Sequence, residues 1–388
     1  LRGQRTIDVP AAATIVVNGG NNQAAMAGTA VPTAPSALVR DLSNNPLPGV
    51  SVTFSVAGGG GSLTGATAVT NASGVATLGS WVLGTPGALN TLTAATAGAG
   101  TPATFTAAGC SGGGAGYALT LCFTTTMTAT QRTAFESAAA RWAQVITGDL
   151  GDIAASIPAG TCGATSPSFN LTIDDLLIFA GVENIDGPNG ILGFANWCYR
   201  RTGALPVIGL MSFDAADMAS MESSGMLQGV IRHEMGHVLG VGTLWSSFGL
   251  LVNPSPVGGP PLDTYFSGSN GITGFNNIGG STYTGGNKVP VENTGSSGTI
   301  NVHWRESVLA NELMTGYANV GSMPLSQLTV RSLTDMGYSV NTAQADAFFL
   351  TLSMRAGEAA RGAVPLFNDV APLPQYSVDE AGRTTRIR

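Results

Sequence analysis

The stretch Arg232-His233-Glu234-Met235-Gly236-His237-Val238-Leu239-Gly240 decides how most of this 388-residue chain is interpreted. On a helix, residues four apart lie one turn apart on the same face, so His233 and His237 can direct their imidazoles at one metal ion. Glu234 follows the first histidine, where its carboxylate can hold a water molecule that Zn²⁺ activates. The motif therefore predicts a zinc site with an adjacent general base.

The surroundings of this motif favour the same interpretation. Apolar spacing predicts a helix that includes residues 223–239, and Gly240 can end that helix with a positive φ. The chain has only three histidines, so the one outside the motif, His303, is the candidate third ligand. It is followed by the predicted turn 311–316, which contains Met314 and could form an apolar floor beneath a metal site.

The spacing of these motifs resembles the metzincin clan and, within it, the leishmanolysin-like family. In most metzincins the third ligand follows the glycine after two residues, but here that position is Thr243, a poor zinc ligand. The leishmanolysin pattern inserts a long segment before the third histidine, and residues 241–302 match such an insert. The likeness covers about residues 117–340 and is carried by His303-Trp304-Arg305-Glu306 and Asn311-Glu312-Leu313-Met314.

The resemblance implies an α+β catalytic domain with a mixed sheet, an active-site helix and a Met-turn at Met314. It also implies a zinc-dependent endopeptidase acting on protein or peptide substrates. One Zn²⁺ per chain would be held by three neutral imidazoles and a water, with Glu234 as general base. Tyr317 is a candidate hydrogen-bond donor to the transition state, and the alternative is a packed tyrosine. The predicted zinc ligands are His233, His237 and His303.

Two rival interpretations follow from the same residues. In the first, the third ligand is a glutamate, with Glu292, Glu306 and Glu312 as candidates, and His303 then has no role. In the second, the chain is a surface adhesin whose metallopeptidase-like domain is a non-catalytic binding module. The intact Glu234 argues against the second rival, because a module without catalysis has no chemical need for that carboxylate.

The N-terminal part, residues 1–109, is predicted to be an Ig-like β-sandwich. Residues 50–56 alternate apolar and hydroxylated side chains, which predicts a strand with Val50, Val52, Phe54 and Val56 on the buried face. Further short apolar runs are bounded by Gly, Pro or Asn, as in Ig-like sandwiches. Residues 41–50 and 70–76 resemble bacterial Ig-like repeats of the invasin and intimin type, which implies a spacer or a contact with a cell surface.

The remaining boundaries follow from composition and local signals. A Gly-rich linker is predicted at residues 110–116, a catalytic domain at 117–352 and a C-terminal tail at 353–388. Within the catalytic domain, a capping box at Thr128-Ala129-Thr130-Gln131 predicts the start of a helix. Residues 191–196 are predicted to form an edge strand, which can pair with an extended peptide or remain an ordinary edge.

Composition restricts the partners and the compartment. The net charge of −7 argues against nucleic acid, and no apolar stretch of the sequence is long enough to span a membrane. Four cysteines outside any C-x-x-C pair suggest two disulfides and a secreted or bacterial surface protein, and the alternative is four buried thiols in a cytosolic protein. Of the three pairings that four cysteines allow, the nearest in sequence are favoured: Cys110–Cys122 and Cys162–Cys198.

A group of acidic residues raises the question of calcium. Their carboxylates are candidate Ca²⁺ ligands, and the alternative is that they are turn formers and solvated charges. The residues are Asp174, Asp175, Glu183, Asp186 and Asp214.

Overall fold

The computed structural model describes residues 11–113, 116–350 and 363–387. Within these ranges the chain forms a β-sandwich followed by an α+β domain built on a mixed sheet. The predicted boundary at residues 352 and 353 lies outside the described residues, as do residues 1–10 of the predicted sandwich.

Residues 11–113 contain ten strands. Three form a sheet of order β1-β3-β7, five continue in the order β2-β10-β9-β4-β6, and β5 and β8 pair with each other. Side chains from these strands pack in one core that includes Val39, Phe54, Trp81, Leu92 and Phe105. The strands are β1 (Thr14–Gly19), β2 (Gln23–Met26), β3 (Ser36–Arg40), β4 (Ser51–Gly58), β5 (Gly61–Thr64), β6 (Thr67–Val69), β7 (Val75–Thr77), β8 (Ser80–Leu83), β9 (Leu89–Ala95) and β10 (Ala103–Ser111).

The predicted alternation along β4 is confirmed. Val52 and Phe54 are buried, and the hydroxylated residues between and beside them are exposed. Val50 and Val56, at the two ends of the alternating run, are only half-buried. The sequence thus identified the inward face of this strand, because side chains alternate between the two faces of a sheet.

The α+β domain is built on a mixed sheet, as predicted. Strands β11, β14 and β16 are parallel neighbours, and β15 is antiparallel to β16. The elements in chain order are β11 (Leu119–Phe123), α1 (Ala129–Val145), β12 (Ile153–Ile157), β13 (Ser168–Ile173), β14 (Leu176–Glu183), β15 (Gly193–Arg201), β16 (Pro206–Asp214), α2 (Met218–Ser224) and α3 (Leu227–Val238).

Helix α1 begins at the predicted capping box. The Gln131 amide N–H donates to the Thr128 hydroxyl at 3.2 Å, and the Thr128 amide N–H donates to the Gln131 side chain at 3.0 Å. At the other end of α1, the Trp142 indole N–H donates to the carbonyl of Arg232 in α3 at 3.0 Å. This bond holds α1 against the helix that carries the histidine motif.

Helix α3 is shorter than the predicted 223–239 segment. Gly225 adopts a left-handed conformation with φ of 77°, so the chain turns between α2 and α3 instead of continuing one helix. The predicted end is confirmed, since α3 stops at Val238 and Gly240 has a φ of 107°. The Tyr338 hydroxyl donates to the carbonyl of Leu239 at 2.9 Å and fixes this end.

The insert at residues 241–302 has secondary structure of its own. Its helix α4 packs on α7, where the Asp335 carboxylate accepts the amide N–H groups of Asn270 and Gly271. The remaining elements are β17 (Leu251–Val252), β18 (Tyr265–Phe266), α4 (Ser269–Asn277), α5 (Ser281–Thr284), β19 (Val289–Pro290), α6 (Glu306–Leu309), β20 (Tyr317–Ala318), α7 (Gln327–Met336), a 3₁₀ helix (Thr342–Gln344), β21 (Val364–Pro365), β22 (Tyr376–Val378) and β23 (Thr384–Arg386).

The two domains share one continuous sheet. Strand β10 of the sandwich pairs with β11, and β2 pairs with β13, so the sandwich sheet continues into the mixed sheet. The predicted linker at 110–116 therefore begins two residues too early, because Cys110 and Ser111 belong to β10. Buried Ala24 and Ala108 of the sandwich pack in the same apolar cluster as Phe179 of the mixed sheet.

Both favoured disulfides are present. Cys110 pairs with Cys122 across the β10–β11 junction, and Cys162 pairs with Cys198 of β15. The first disulfide covalently fastens the sandwich to the mixed sheet.

The described part of the predicted tail, residues 363–387, is integrated into the fold, which corrects the prediction. Strand β21 pairs with β20, while β22 pairs with β15 and with β23.

The prediction that 191–196 forms an edge strand is also wrong. The outer side of β15 is covered by the C-terminal strands, which satisfy backbone groups that an edge would leave unpaired.

Every helix in the described ranges is too short or too polar to cross a bilayer.

We predict that residues 117–388 produced alone are less stable than the full chain. Deleting the sandwich removes β2 and β10, the partners of β13 and β11, and exposes the buried side chains beneath them. The thermal midpoint of the mixed-sheet domain, followed by tryptophan fluorescence, should fall by about 5–10 °C. An unchanged midpoint would mean that the stability of the α+β domain is independent of the sandwich.

Candidate metal centre

Three histidines from two distant parts of the chain converge on one point. Their Nε2 atoms are separated by 3.0 Å for His233 and His237, 3.0 Å for His237 and His303, and 3.2 Å for His233 and His303. All three side chains are completely buried. A tetrahedral Zn²⁺ with Zn–N distances of about 2.0–2.1 Å holds its ligand nitrogens about 3.3–3.4 Å apart, which is close to this spacing.

The opposite ring nitrogen of each histidine binds a backbone carbonyl. A carbonyl can only accept, so each Nδ1 carries the proton, and a neutral ring then presents a lone pair at Nε2. Three lone pairs therefore face one another, which favours a cation between them. The bonds run from His233 to Leu313 (2.6 Å), from His237 to Val241 (2.9 Å) and from His303 to Thr299 (2.9 Å).

A fourth group, the carboxylate of Asp369, completes the cluster. Its Oδ2 lies 2.9 Å from Nε2 of His303, 3.2 Å from Nε2 of His233 and 3.8 Å from Nε2 of His237. Asp369 is completely buried, and together the four residues form a group able to hold a metal ion. No sequence pattern points to Asp369, because it stands alone in a segment predicted to be a tail.

Glu234 is buried beside the cluster with its carboxylate unsatisfied. Neither of its oxygens has a hydrogen-bond partner among the described residues. Burial, together with the charge of Asp369, raises the pKa of Glu234 well above its ordinary value. An unpaired carboxylate in a buried site is costly unless it has a ligand to bind. Glu234 is therefore placed to bind a water molecule or to exchange a proton.

The electrostatics of the histidines fit metal binding. Burial lowers the pKa of His233 and lowers that of His237 to about 4, which keeps both rings neutral as metal ligands must be. Burial also opposes a charge on His303, but the charge and hydrogen bond of Asp369 raise the pKa of His303. Although burial by itself would raise the pKa of Asp369, the histidines hold that pKa well below its ordinary value.

Met314 packs directly against helix α3. A Cβ built on Gly236 would lie only 2.6 Å from the Met314 sulfur, so the helix needs a glycine at this point of the motif. The turn that holds Met314 is closed by a hydrogen bond from the Thr315 amide to the Glu312 carbonyl at 3.2 Å. The Glu312 carboxylate accepts from the Met314 amide at 2.7 Å and from the Thr329 hydroxyl at 2.6 Å.

The rival glutamate ligands are not part of the cluster. Glu312 is engaged in the turn just described, and the Glu292 carboxylate accepts from the amides of Asn293 and Glu306. Within the described ranges, the metal-binding group that includes the histidines contains only one carboxylate, that of Asp369. The Thr243 hydroxyl donates to the His237 carbonyl at 2.8 Å, so it supports the end of α3.

The calcium prediction is not supported. Asp214 accepts the amide N–H groups of Asp186 and Gly187, and Asp175 accepts those of Ala118 and Leu150, so both carboxylates hold turns. In the described ranges the five predicted carboxylates do not gather at one point: Asp174 and Asp175 lie together with Asp149, whose side chain is exposed, and the other three are not part of that group.

Tyr317 lies beside the cluster on strand β20, which follows the Met314 turn. It lines a cavity of about 550 Å³ together with Glu292, Glu306, Thr299 and Leu366. Thr299 is also the residue whose carbonyl accepts from His303, so the cavity adjoins the third histidine.

Comparisons with known proteins match the part of the chain that contains the histidines. A family model described as Leishmanolysin matches residues 145–355, which is more than half of the chain. A curated protein from Crithidia fasciculata, named Leishmanolysin homolog, is 26% identical over 165 residues. That alignment covers 40% of this chain and 24% of the relative, so the chain spans about a quarter of the relative's length.

Solved structures similar to about a quarter of this chain include domains of Intimin and InvD. The D00-D0 domain of Intimin is 24% identical, with 27% of this chain and 48% of that chain covered and a TM-score of 0.21. Yersinia pseudotuberculosis InvD is 26% identical, with 24% of this chain and 27% of that chain covered and a TM-score of 0.18. Strand pairing within residues 11–113 defines the N-terminal sandwich.

We predict that Glu306 makes the chain less stable as the pH rises. Burial, with the nearby charge of Glu292, raises the pKa of Glu306 from 4.5 to about 7. Between these values the unfolded chain releases a proton that the folded chain keeps, so the free energy of unfolding falls as the pH rises through this window.

In urea unfolding, the free energy of unfolding should fall less for Glu306→Gln than for the wild type between pH 4.5 and pH 8. The two decreases should differ by about 1–3 kcal/mol. Glu380→Gln, at an exposed carboxylate, is the control and should follow the wild type. Identical pH profiles for all three proteins would show that Glu306 titrates normally.

Proposed function

We propose that this chain, which belongs to the leishmanolysin family of peptidases, is a zinc-dependent endopeptidase that cleaves peptide bonds in protein substrates. The observation that carries the proposal is the convergence of three histidine Nε2 atoms beside the buried, unpaired carboxylate of Glu234. His233, Glu234, His237 and His303 all lie within the matched family region. The substrates are part of the proposal, because the curated relative is matched over only a quarter of its length.

In this proposal each residue near the cluster has a defined role. When bound by the three histidines, Zn²⁺ would supply a Lewis acid and lower the pKa of water toward about 7. Glu234 takes a proton from the attacking water and returns it to the leaving amine. The carbonyl partners of the three Nδ1 atoms hold the rings in one tautomer and one orientation while the proton moves.

Met314 and Tyr317 have supporting roles in this proposal. The turn that contains Met314 is assigned as the Met-turn, because its side chain fills the space that Gly236 leaves open below the motif. Tyr317 is assigned as a hydrogen-bond donor to the substrate oxyanion, and its place beside the cavity near His303 supports the assignment.

We further propose that the protein works outside the cytoplasm, as a secreted or bacterial surface protein. Its two disulfides suit an oxidising compartment. The sandwich then acts as a spacer or contacts a cell surface. Casein cleavage that a chelator abolishes and zinc restores is the expected result, whereas a non-catalytic adhesin would bind without cleaving.

We predict that the metal is lost or weakened when His303 is replaced. The wild type should contain one zinc per chain in elemental analysis after dialysis, and His303→Ala should contain much less, because one of three nitrogen ligands is missing. Glu380→Gln, at an exposed carboxylate outside the cluster, is the control and should not affect zinc content. A full complement of zinc in His303→Ala would refute the ligand assignment.

We predict that Glu234→Gln keeps its zinc but loses most of its activity. Glutamine preserves size and shape while removing the basic group, so casein hydrolysis should fall by about 10²–10⁴-fold. Glu380→Gln is again the control. Near-normal turnover with zinc present would exclude a general-base role, and loss of zinc would show that Glu234 acts partly in holding the site together.

A further inference from the structure

We propose that residues 364–378, which we call the cleft segment, are a built-in inhibitor in which Asp369 occupies the fourth position around the metal. This inference rests on the proposed function, since it states how that same site is kept inactive. Asp369 lies beyond residue 355, where the match to the family model ends, so the matched region does not include it.

The first argument is the chemistry of the fourth position. Catalytic zinc sites have three protein ligands and keep one position open for water, whereas sites with four protein ligands are closed and structural. Asp369 Oδ2 lies 2.9 Å from Nε2 of His303 and 3.2 Å from Nε2 of His233. A cation bound among the histidines would have this carboxylate oxygen as its fourth ligand. In this arrangement no position is left for the water that Glu234 needs.

The second argument is that the cleft segment covers the strand edge beside the cluster. The Ala195 amide donates to the Asp369 carbonyl at 2.7 Å, and the Ala371 amide donates to the Ala195 carbonyl at 3.1 Å. The Asn196 side-chain amide adds a bond to the Ala371 carbonyl at 2.7 Å. An extended substrate that added to β15 would need the same backbone groups.

The cleft segment also occupies the opposite wall of the site. The Leu366 amide donates to the Gly316 carbonyl at 2.9 Å, and Pro365 pairs with Tyr317 of β20. Gly316 and Tyr317 follow directly on the Met314 turn. The segment therefore runs from the Met314 side of the cluster to β15. Between these two points it places the Asp369 carboxylate next to the histidines. The Asp369 side chain lies at the metal position, while the carbonyl of Asp369 accepts from Ala195, so the segment blocks the site without presenting this peptide bond for cleavage.

The third argument is that the central part of the segment is only partly packed against the rest of the fold. Phe367 is 50% exposed, Asn368 is exposed, and a cavity of about 920 Å³ lies alongside, lined in part by Val370 and Pro372. A tethered carboxylate competes with water at a high effective concentration, so a few hydrogen bonds are enough to favour the closed form. Releasing Asp369 would open the fourth position and the β15 edge together.

The test uses the full chain with Co²⁺ as a spectroscopic probe of the metal position. Wild type, Asp369→Asn and Asp369→Ala are compared, with Asp379→Asn as a matched control in the exposed β22–β23 turn. The wild-type visible spectrum should change little when acetohydroxamate is added, whereas both Asp369 variants should bind the hydroxamate and change spectrum. Casein hydrolysis in these variants should rise about tenfold or more, as the open fraction increases.

A second variant keeps the test informative if the loss of Asp369 impairs folding. Ala371→Pro retains the carboxylate but removes the amide that donates to Ala195, so it should also raise hydroxamate binding and activity. The double variant Asp369→Asn/Glu234→Gln should bind the hydroxamate and show none of the added hydrolysis.

The outcomes separate this inference from the proposed function. Equal hydroxamate binding and equal hydrolysis by wild type and variants would overturn the inhibitor and leave the peptidase intact. An opened metal position with no hydrolysis in any variant would support the inhibitor's geometry and refute the peptidase. Loss of cobalt from both Asp369 variants but not from Asp379→Asn would show that the carboxylate is a structural ligand, which overturns the inhibitor.

Discussion

The metal centre depends on three hydrogen bonds that do not touch the metal position. Each histidine donates from Nδ1 to a backbone carbonyl, and these carbonyls belong to three separate segments, at Leu313, Val241 and Thr299. Each bond selects one tautomer and one ring orientation, so the three Nε2 lone pairs face inward. The helix end, the insert and the Met314 turn must all be in place before the rings converge. The site is therefore a consequence of the whole α+β domain.

Close packing beneath the motif explains why those segments meet. Gly236 leaves room for the Met314 side chain, and the buried Glu312 carboxylate fixes the turn that presents it. The Trp142 indole and the Tyr338 hydroxyl each bind a carbonyl of the motif helix or its end. These bonds satisfy buried polar groups that would otherwise be costly, and they leave the helix few ways to shift.

Strand pairing connects parts of the chain that composition divides into separate modules. The sandwich reaches the mixed sheet through β2 and β10, and the C-terminal residues reach it through β22. Both connections satisfy backbone groups at what would be open sheet edges. The same pairing carries Asp369 to the histidines, so a carboxylate 66 residues beyond the third histidine becomes part of the metal centre. The cleft segment therefore covers a sheet edge and closes the site at the same time.

The features that could be predicted from the sequence arise from local chemistry. They are the spacing of His233 and His237, the capping box, the glycine at the end of α3 and the inward face of β4. The other features depend on tertiary contacts. Strand β16 is buried throughout but lacks an alternating pattern, and Asp369 has no local signal. Which strands pair and which distant side chains meet depends on contacts between residues far apart in the chain, and no local pattern records them.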